Sequence, residues 1–262
     1  MKESGRLKNQ IIRWLDIHFP EYTDVFKTKK LFTARSLATL RSYPSPRDLR
    51  DLAPEQLISV WKDHMSRPGG KRGMKKAGQL IQLARTSIGD TTSLNEDKRQ
   101  LQYLLDAYAR VRKTIDDFDE EIERILPEVP CSDLVLSIGG TPSSTGVILA
   151  LAGDLRQLKH GNQLLRKAGL NIAERSSGKY RGKVKITKRG NSLLRKHLYL
   201  TVKHLLSYHS AFQELHAANV QVKRMTKMQS IMKLIGKLAR MIVAMVRDAQ
   251  PFLEDKILDT AA

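Results

Sequence analysis

Residues 101–125 read LQYLLDAYARVRKTIDDFDEEIERI, and their apolar side chains recur in alternating steps of three and four: Leu101, Leu104, Tyr108, Val111, Ile115, Phe118, Ile122 and Ile125. Such spacing puts eight side chains in one seam along a helix, as in a heptad repeat. Ser93 with Glu96 three residues on is a capping-box start, and Leu126-Pro127 is a stop, so the pattern predicts a coiled-coil-type helix over 93–127. Burying each side chain of the seam is worth on the order of 1.5–3 kcal/mol before entropy is charged, so the stripe needs a partner. Two partners fit: the rest of the same domain, or a second copy in a homo-oligomer. The acids Asp116, Asp117, Asp119, Glu120, Glu121 and Glu123 flank the seam and read as a solvated or interhelical ionic face, with no metal site among them.

Working outward, nearly every other apolar pattern is helical too, and the fold class is mostly α. Residues 1–92 form a helical linker region: about 5–19, with Leu7, Ile11, Trp14, Leu15 and His18 on one face, then near 31–42 and 53–65. Arg67-Pro68-Gly69-Gly70 is a loop, after which Lys71, Arg72, Lys75 and Lys76 gather on one side of a helix as a basic spot. Residues 128–262 form a third region. It opens with Ser132–Ser137, Ile138-Gly139-Gly140-Thr141-Pro142 and Ser143–Ala150, the outline of a helix-hairpin-helix, in which Gly139 and Gly140 permit a tight turn and helix-start amides can hold a phosphate. A final helix carries Met225, Met228, Met232, Ile235, Leu238, Ile242 and Val246 on one stripe, read as core.

Charge points to the partner. The 262 residues hold 46 Lys and Arg against 27 Asp and Glu, a formal net charge of +19, which favours a polyanion. Residues 127–262 carry 22 basic and 9 acidic side chains, residues 1–126 carry 24 and 18, so the excess is C-terminal. The stretch from Arg175 to Lys196 concentrates it: Arg175, Lys179, Arg181, Lys183, Lys185, Lys188, Arg189, Arg195 and Lys196, with no acid between them. From Lys179 to Ile186 cations alternate with Tyr180, Val184 and Ile186, predicting a short basic β-ribbon with one cationic face. Lys188-Arg189-Gly190-Asn191 then leads into a helix over 192–206. If about six of these charges meet phosphates, log K falls with log salt at a slope of about 5.

Other chemistries find little footing. The single cysteine, Cys131, cannot close an intramolecular disulfide, so a reducing, cytoplasmic setting is expected. No run of 18 apolar residues suggests a membrane partner. The seven histidines show neither HxxxH nor HExxH spacing, there is no phosphate-binding P-loop, and the nine acids of the C-terminal half are scattered, so no metal is expected on this chain.

A resemblance now joins these readings. Leu136-Ser137-Ile138-Gly139-Gly140-Thr141-Pro142, Gly153-Asp154, Lys167-Ala168-Gly169-Leu170, Glu174-Arg175-Ser176-Ser177-Gly178-Lys179, Ile186-Thr187-Lys188-Arg189-Gly190-Asn191 and Leu194-Arg195 resemble the C-terminal domain of transposases of the insertion-sequence 110, 116 and 902 group, recombinases guided by a bridge RNA. Arg6 to Glu21 and the heptad helix look like the linker and coiled coil of that family. The hairpin departs from the family's Gly-hydrophobic-Gly-Pro, and Ile172 stands where the family has proline.

The resemblance implies a bacterial protein of DNA transposition and recombination, nucleoid-associated when on DNA, with DNA and a structured guide RNA as partners. It implies a serine nucleophile, Ser177 or its neighbour Ser176, completing a site with a RuvC-like nuclease domain that binds Mg. Nothing like that domain precedes Arg6, so the chain is expected to be an N-terminally truncated copy, inactive alone. A non-catalytic binding or assembly remnant of a mobile element is the alternative. The nucleic-acid contacts expected are the cations from Arg175 to Arg195 with Asn191, the hairpin glycines, and the spot at 71–76.

Overall fold

A chain with this spacing of apolar residues builds helices that bury one face each, and the computed structural model, which describes residues 2–65, 70–89, 94–173, 176–177, 180–181 and 185–253, is mostly α. It divides into two compact units, 1–117 and 118–262, and the division falls inside the long helix.

In the first unit, α1 (Lys2–His18) buries Leu7, Ile11, Trp14, Leu15 and His18, the face legible in the sequence. Then come α2 (Tyr22–Val25), α3 (Ala34–Ser42), α4 (Pro46–Leu49), α5 (Pro54–His64), α6 (Gly70–Arg85) and α7 (Leu94–Ile125). Proline sits at the first turn of α4 and α5, where no amide partner is lost. An aromatic chain runs through the core: Phe19 to Tyr22 at 5.4 Å, Tyr22 to Phe26 at 5.0 Å and Phe26 to Trp61 at 6.4 Å between ring centroids. Its polar ends are satisfied, Tyr22 Oη donating to the Ser36 carbonyl at 2.7 Å and Trp61 Nε1 to Thr39 Oγ1 at 2.8 Å.

The start of α7 belongs to this core. Leu101, Leu104 and Tyr108 are buried with it and Val111 packs against it, so half of the seam expected to join copies already covers its own unit. Gln102 Nε2 to the Arg41 carbonyl, Arg41 to Asp106 at 2.7 Å and Lys98 to Asp48 at 2.6 Å fix the register. Burial pushes the Asp48 carboxyl up, but bonds from Lys98 and Ser45 outweigh it and hold the group below the usual range. Farther along, Ile115 and Ile122 are half-buried, and Phe118 and Ile125 are 65% and 38% exposed.

The second unit holds α8 (Ser132–Leu136), α9 (Pro142–Ala152), α10 (Gly161–Lys167), α11 (Ser192–Tyr208), α12 (Ser210–Ala217), a π-turn at Ala218–Val222 and α13 (Lys227–Asp248). Its core is layered on α13, which buries Leu234, Ile235, Leu238, Ala239, Ile242, Val243 and Val246 against α10 and α11. The methionine stripe is therefore core only from Ile235 on; Met228 is exposed and Met225 and Met232 are half-buried. Short antiparallel pairs stand between α10 and α11: β1 (Ile172–Ala173) with β4 (Lys185–Ile186), and β2 (Ser176–Ser177) with β3 (Tyr180–Arg181). Among the described residues no helix is long and apolar enough to cross a membrane.

Candidate nucleic-acid interface

The basic ribbon is held at its base by the end of one helix and the start of the next. Gly169, at φ 67°, ends α10 in a Schellman turn: its amide donates to the Arg166 carbonyl at 2.9 Å and that of Leu170 to Leu165 at 2.8 Å. Asn191 caps α11, its Oδ1 accepting from the amides of Leu193 and Leu194 at 2.9 and 3.1 Å. The two ends are then clipped together. The Asn191 amide donates to the Lys167 carbonyl at 2.7 Å, the Lys188 amide to Gly169 at 3.0 Å, and Arg195 Nη1 to the Ala168 carbonyl at 2.7 Å.

Only glycine fits the crossing point. A Cβ on Gly190, at φ 152°, would stand 2.4 Å from the Gly169 nitrogen and 2.6 Å from the Lys167 oxygen. The Lys-Ala-Gly-Leu and Lys-Arg-Gly-Asn motifs are thus two halves of one junction. Two residues read from the sequence as nucleic-acid contacts have structural engagements here: Asn191 caps α11, and Arg195 is half-buried with its guanidinium at the C-terminus of α10. Lys188, held at φ 53°, and Arg189 are exposed beside the clip.

From this base the ribbon runs Ile172 opposite Ile186, Ala173 opposite Lys185, Ser176 opposite Arg181 and Ser177 opposite Tyr180. Ser177 and Tyr180 are the last described pair of the second ladder. Ala173 and Ser176 are an odd step apart, Arg181 and Lys185 an even one, so one unbroken ladder cannot hold both pairs. Arg175, Gly178, Lys179 and Lys183 lie outside the described residues.

The glycine turn lies between α8 and α9. Gly139, at φ 87°, is exposed, and its amide turns back to the Leu136 carbonyl at 2.8 Å. The donors of α9 are largely used by its own cap: Pro142 has none, the Ser144 amide bonds Thr141 Oγ1 at 3.3 Å and that of Thr145 bonds the Thr141 carbonyl at 2.9 Å. A Cβ on Gly140 would meet Thr145 and Thr201 at 3.4 Å, so this turn seats on α11. Beneath it His197 Nδ1 and Ser144 Oγ lie 3.3 Å apart, and burial, with Lys196 nearby, lowers the His197 pKa.

In the first unit, Lys71, Arg72 and Lys75 are exposed on α6 as expected. Lys76 is not part of that surface: it is half-buried with Nζ 5.2 Å from the Phe26 ring centroid, and burial together with Lys30 and Arg35 lowers its pKa. A cavity of about 400 Å³ beside it is lined by Phe26, Lys30, Arg35, Met65 and Arg72.

Among the described residues no group of three or more His, Cys, Asp or Glu side chains is placed to hold a metal ion. The sequence missed the groove between α10 and the start of α13, where the exposed methionines lie; its signal was the excess of cations over acids from Lys223 to Arg240.

No curated protein matches the chain. The sequence model described as the Transposase IS116/IS110/IS902 family matches residues 132–217, from the first residue of α8 to the last of α12. The clip, the serine ribbon and the capped start of α11 all fall within the match. Residues 132–217 are therefore similar to the transposase domain of the IS116/IS110/IS902 family.

Proposed function

We propose that the chain is a DNA-binding protein of transposition whose second unit grips the phosphate backbone along the ribbon and its clip. The observation that carries this reading is the run from Arg175 to Lys196, nine cations with no acid, set on a rigid base inside the family match. Lys188 and Arg189 are the exposed cations nearest the clip. Gly139 and Gly140 would add backbone contacts. Ser177, with Ser176 beside it, is the nucleophile this chain would bring to a DNA phosphate. The described side chains offer no fit for a divalent metal, and no metal-dependent step is assigned to them. A structured RNA is a second polyanion suited to the same surface and to Lys71, Arg72 and Lys75. Copies would associate through the exposed Phe118 and Ile125 of α7.

The test is fluorescence anisotropy of a labelled duplex across a salt series, for the wild type, Lys183→Ala/Lys185→Ala and Lys188→Ala/Arg189→Ala. The wild type should show a log–log slope of about 5, and each double variant a slope lower by about 2. Unchanged slopes in both variants, or no duplex binding at low salt, would overturn the reading.

A further inference from the structure

An open groove of about 1240 Å³ lies between α10, the base of the ribbon and the first turns of α13, larger than the roughly 300–1,000 Å³ of a small-molecule site. Two kinds of side chain line it. Met225, Met228, Met232, Ile172 and Ile186 form an apolar floor, and Ile172 and Met228 are 69% and 55% exposed. Arg166, Lys223, Arg224, Lys233 and Arg240 form the rim, with no carboxylate among the described lining residues.

One cation of the rim is tethered. Asn219, buried in the π-turn, donates from Nδ2 to Ser230 Oγ at 3.2 Å and accepts from Lys233 Nζ at 3.3 Å through Oδ1. The chain leaves that turn through Lys223 and through Arg224 at φ 51°, a left-handed backbone that costs a non-glycine residue about 1 kcal/mol or more. Burial and the neighbouring Lys223 lower the Lys233 pKa, so two ammonium groups crowd one edge. An anion between them would relieve the repulsion.

Clustered cations around a methionine floor suit a chain that carries phosphates and bare, flat bases together. A duplex keeps its bases stacked inside and would leave the floor uncovered; a lone small anion would leave most of the groove empty. Given the DNA-binding reading above, on which this inference rests, we propose that the groove takes an unpaired DNA strand, its phosphates on Lys223, Lys233 and Arg240 and its bases on the methionines. It is a second site, apart from the cations of the ribbon.

Anisotropy of a short labelled oligothymidine and of a labelled blunt duplex, each with the full chain, tests it. Lys223→Ala/Lys233→Ala and, separately, Met228→Glu should each weaken oligothymidine binding about tenfold and leave duplex binding within about twofold of wild type. Met228 is exposed, so its variant folds, and thermal melting checks both. Oligothymidine binding unchanged in both variants would overturn the proposal, as would equal losses for oligothymidine and duplex. A labelled oligouridine bound more tightly than oligothymidine would overturn the assignment to DNA. Duplex binding absent from the wild type, with oligothymidine binding sensitive to both variants, would sink the ribbon reading and leave the groove standing.

Discussion

Gly190 has backbone of a neighbouring turn where a methyl group would go, and the atoms it would strike cannot rotate away as a side chain could. Gly190→Ala should therefore cost the second unit about 3 kcal/mol, read by urea unfolding. Gly78 on α6 is the contrast, because a Cβ there meets nothing within 4 Å; Gly78→Ala should stabilise the first unit by about 0.5–1 kcal/mol. His197 carries a pH dependence whose sign follows from its burial. Its folded pKa lies below the unfolded value, so the unfolded state binds more protons as pH drops through the ordinary histidine range of about 6.5. The stability it supports is present above that value and fades as pH falls toward the folded pKa. Thermal melting between about pH 7.5 and 5 should show the loss, and His197→Gln should flatten it. At this scale the sequence does not show the structural engagements of its residues. Asn191 and Arg195 stand in a basic strip and read as ligand contacts, whereas a cap bond and a carbonyl 27 positions away hold them. Pairing across such a distance leaves no periodic trace.

Among the elements, α7 shows how far a repeat can be read. Its spacing predicts a helix and a buried stripe; the helix is present and the stripe is buried over Leu101, Leu104 and Tyr108, while Phe118 and Ile125 are exposed, and spacing is silent on what covers it. The first turns meet the unit's own core: Leu101 is fully buried, and the Tyr108 ring lies 5.3 Å from that of Phe32. Leu101→Ala should thus cost the first unit about 2–5 kcal/mol, with a melting temperature independent of protein concentration, whereas Phe118→Asp, at an exposed position of the second unit, should change the second unit's stability by less than about 0.5 kcal/mol. A concentration-dependent melt in the wild type that Leu101→Ala abolishes would mean the stripe joins copies instead. The four-residue helices α2 and α4 were not legible, since one turn is shorter than the period needed to recognise it. Ile172–Ala173 escaped for a related reason: two residues show no alternation, and their partner strand lies 13 positions on.

For the whole molecule, composition gave a polyanion as partner, and the 22-to-9 balance of basic over acidic side chains in residues 127–262 placed the excess in the half that holds the family match. What composition could not give is how the charge is distributed between a ribbon and a groove, because cations from α10, the π-turn and α13 become neighbours only after folding. The clip at Gly169 and Gly190 bears on how such a protein can vary. The chain leaves the helical body at Leu170 and re-enters it at Lys188, the Lys188 amide closing onto Gly169 and that of Asn191 onto Lys167. The segment between these points has its ends already joined, and lengthening a segment whose ends are joined costs only as the logarithm of its length. The serine-bearing arm can accordingly be lengthened, shortened or exchanged between relatives while the helices beneath keep their packing, a detachable cassette in an otherwise fixed frame.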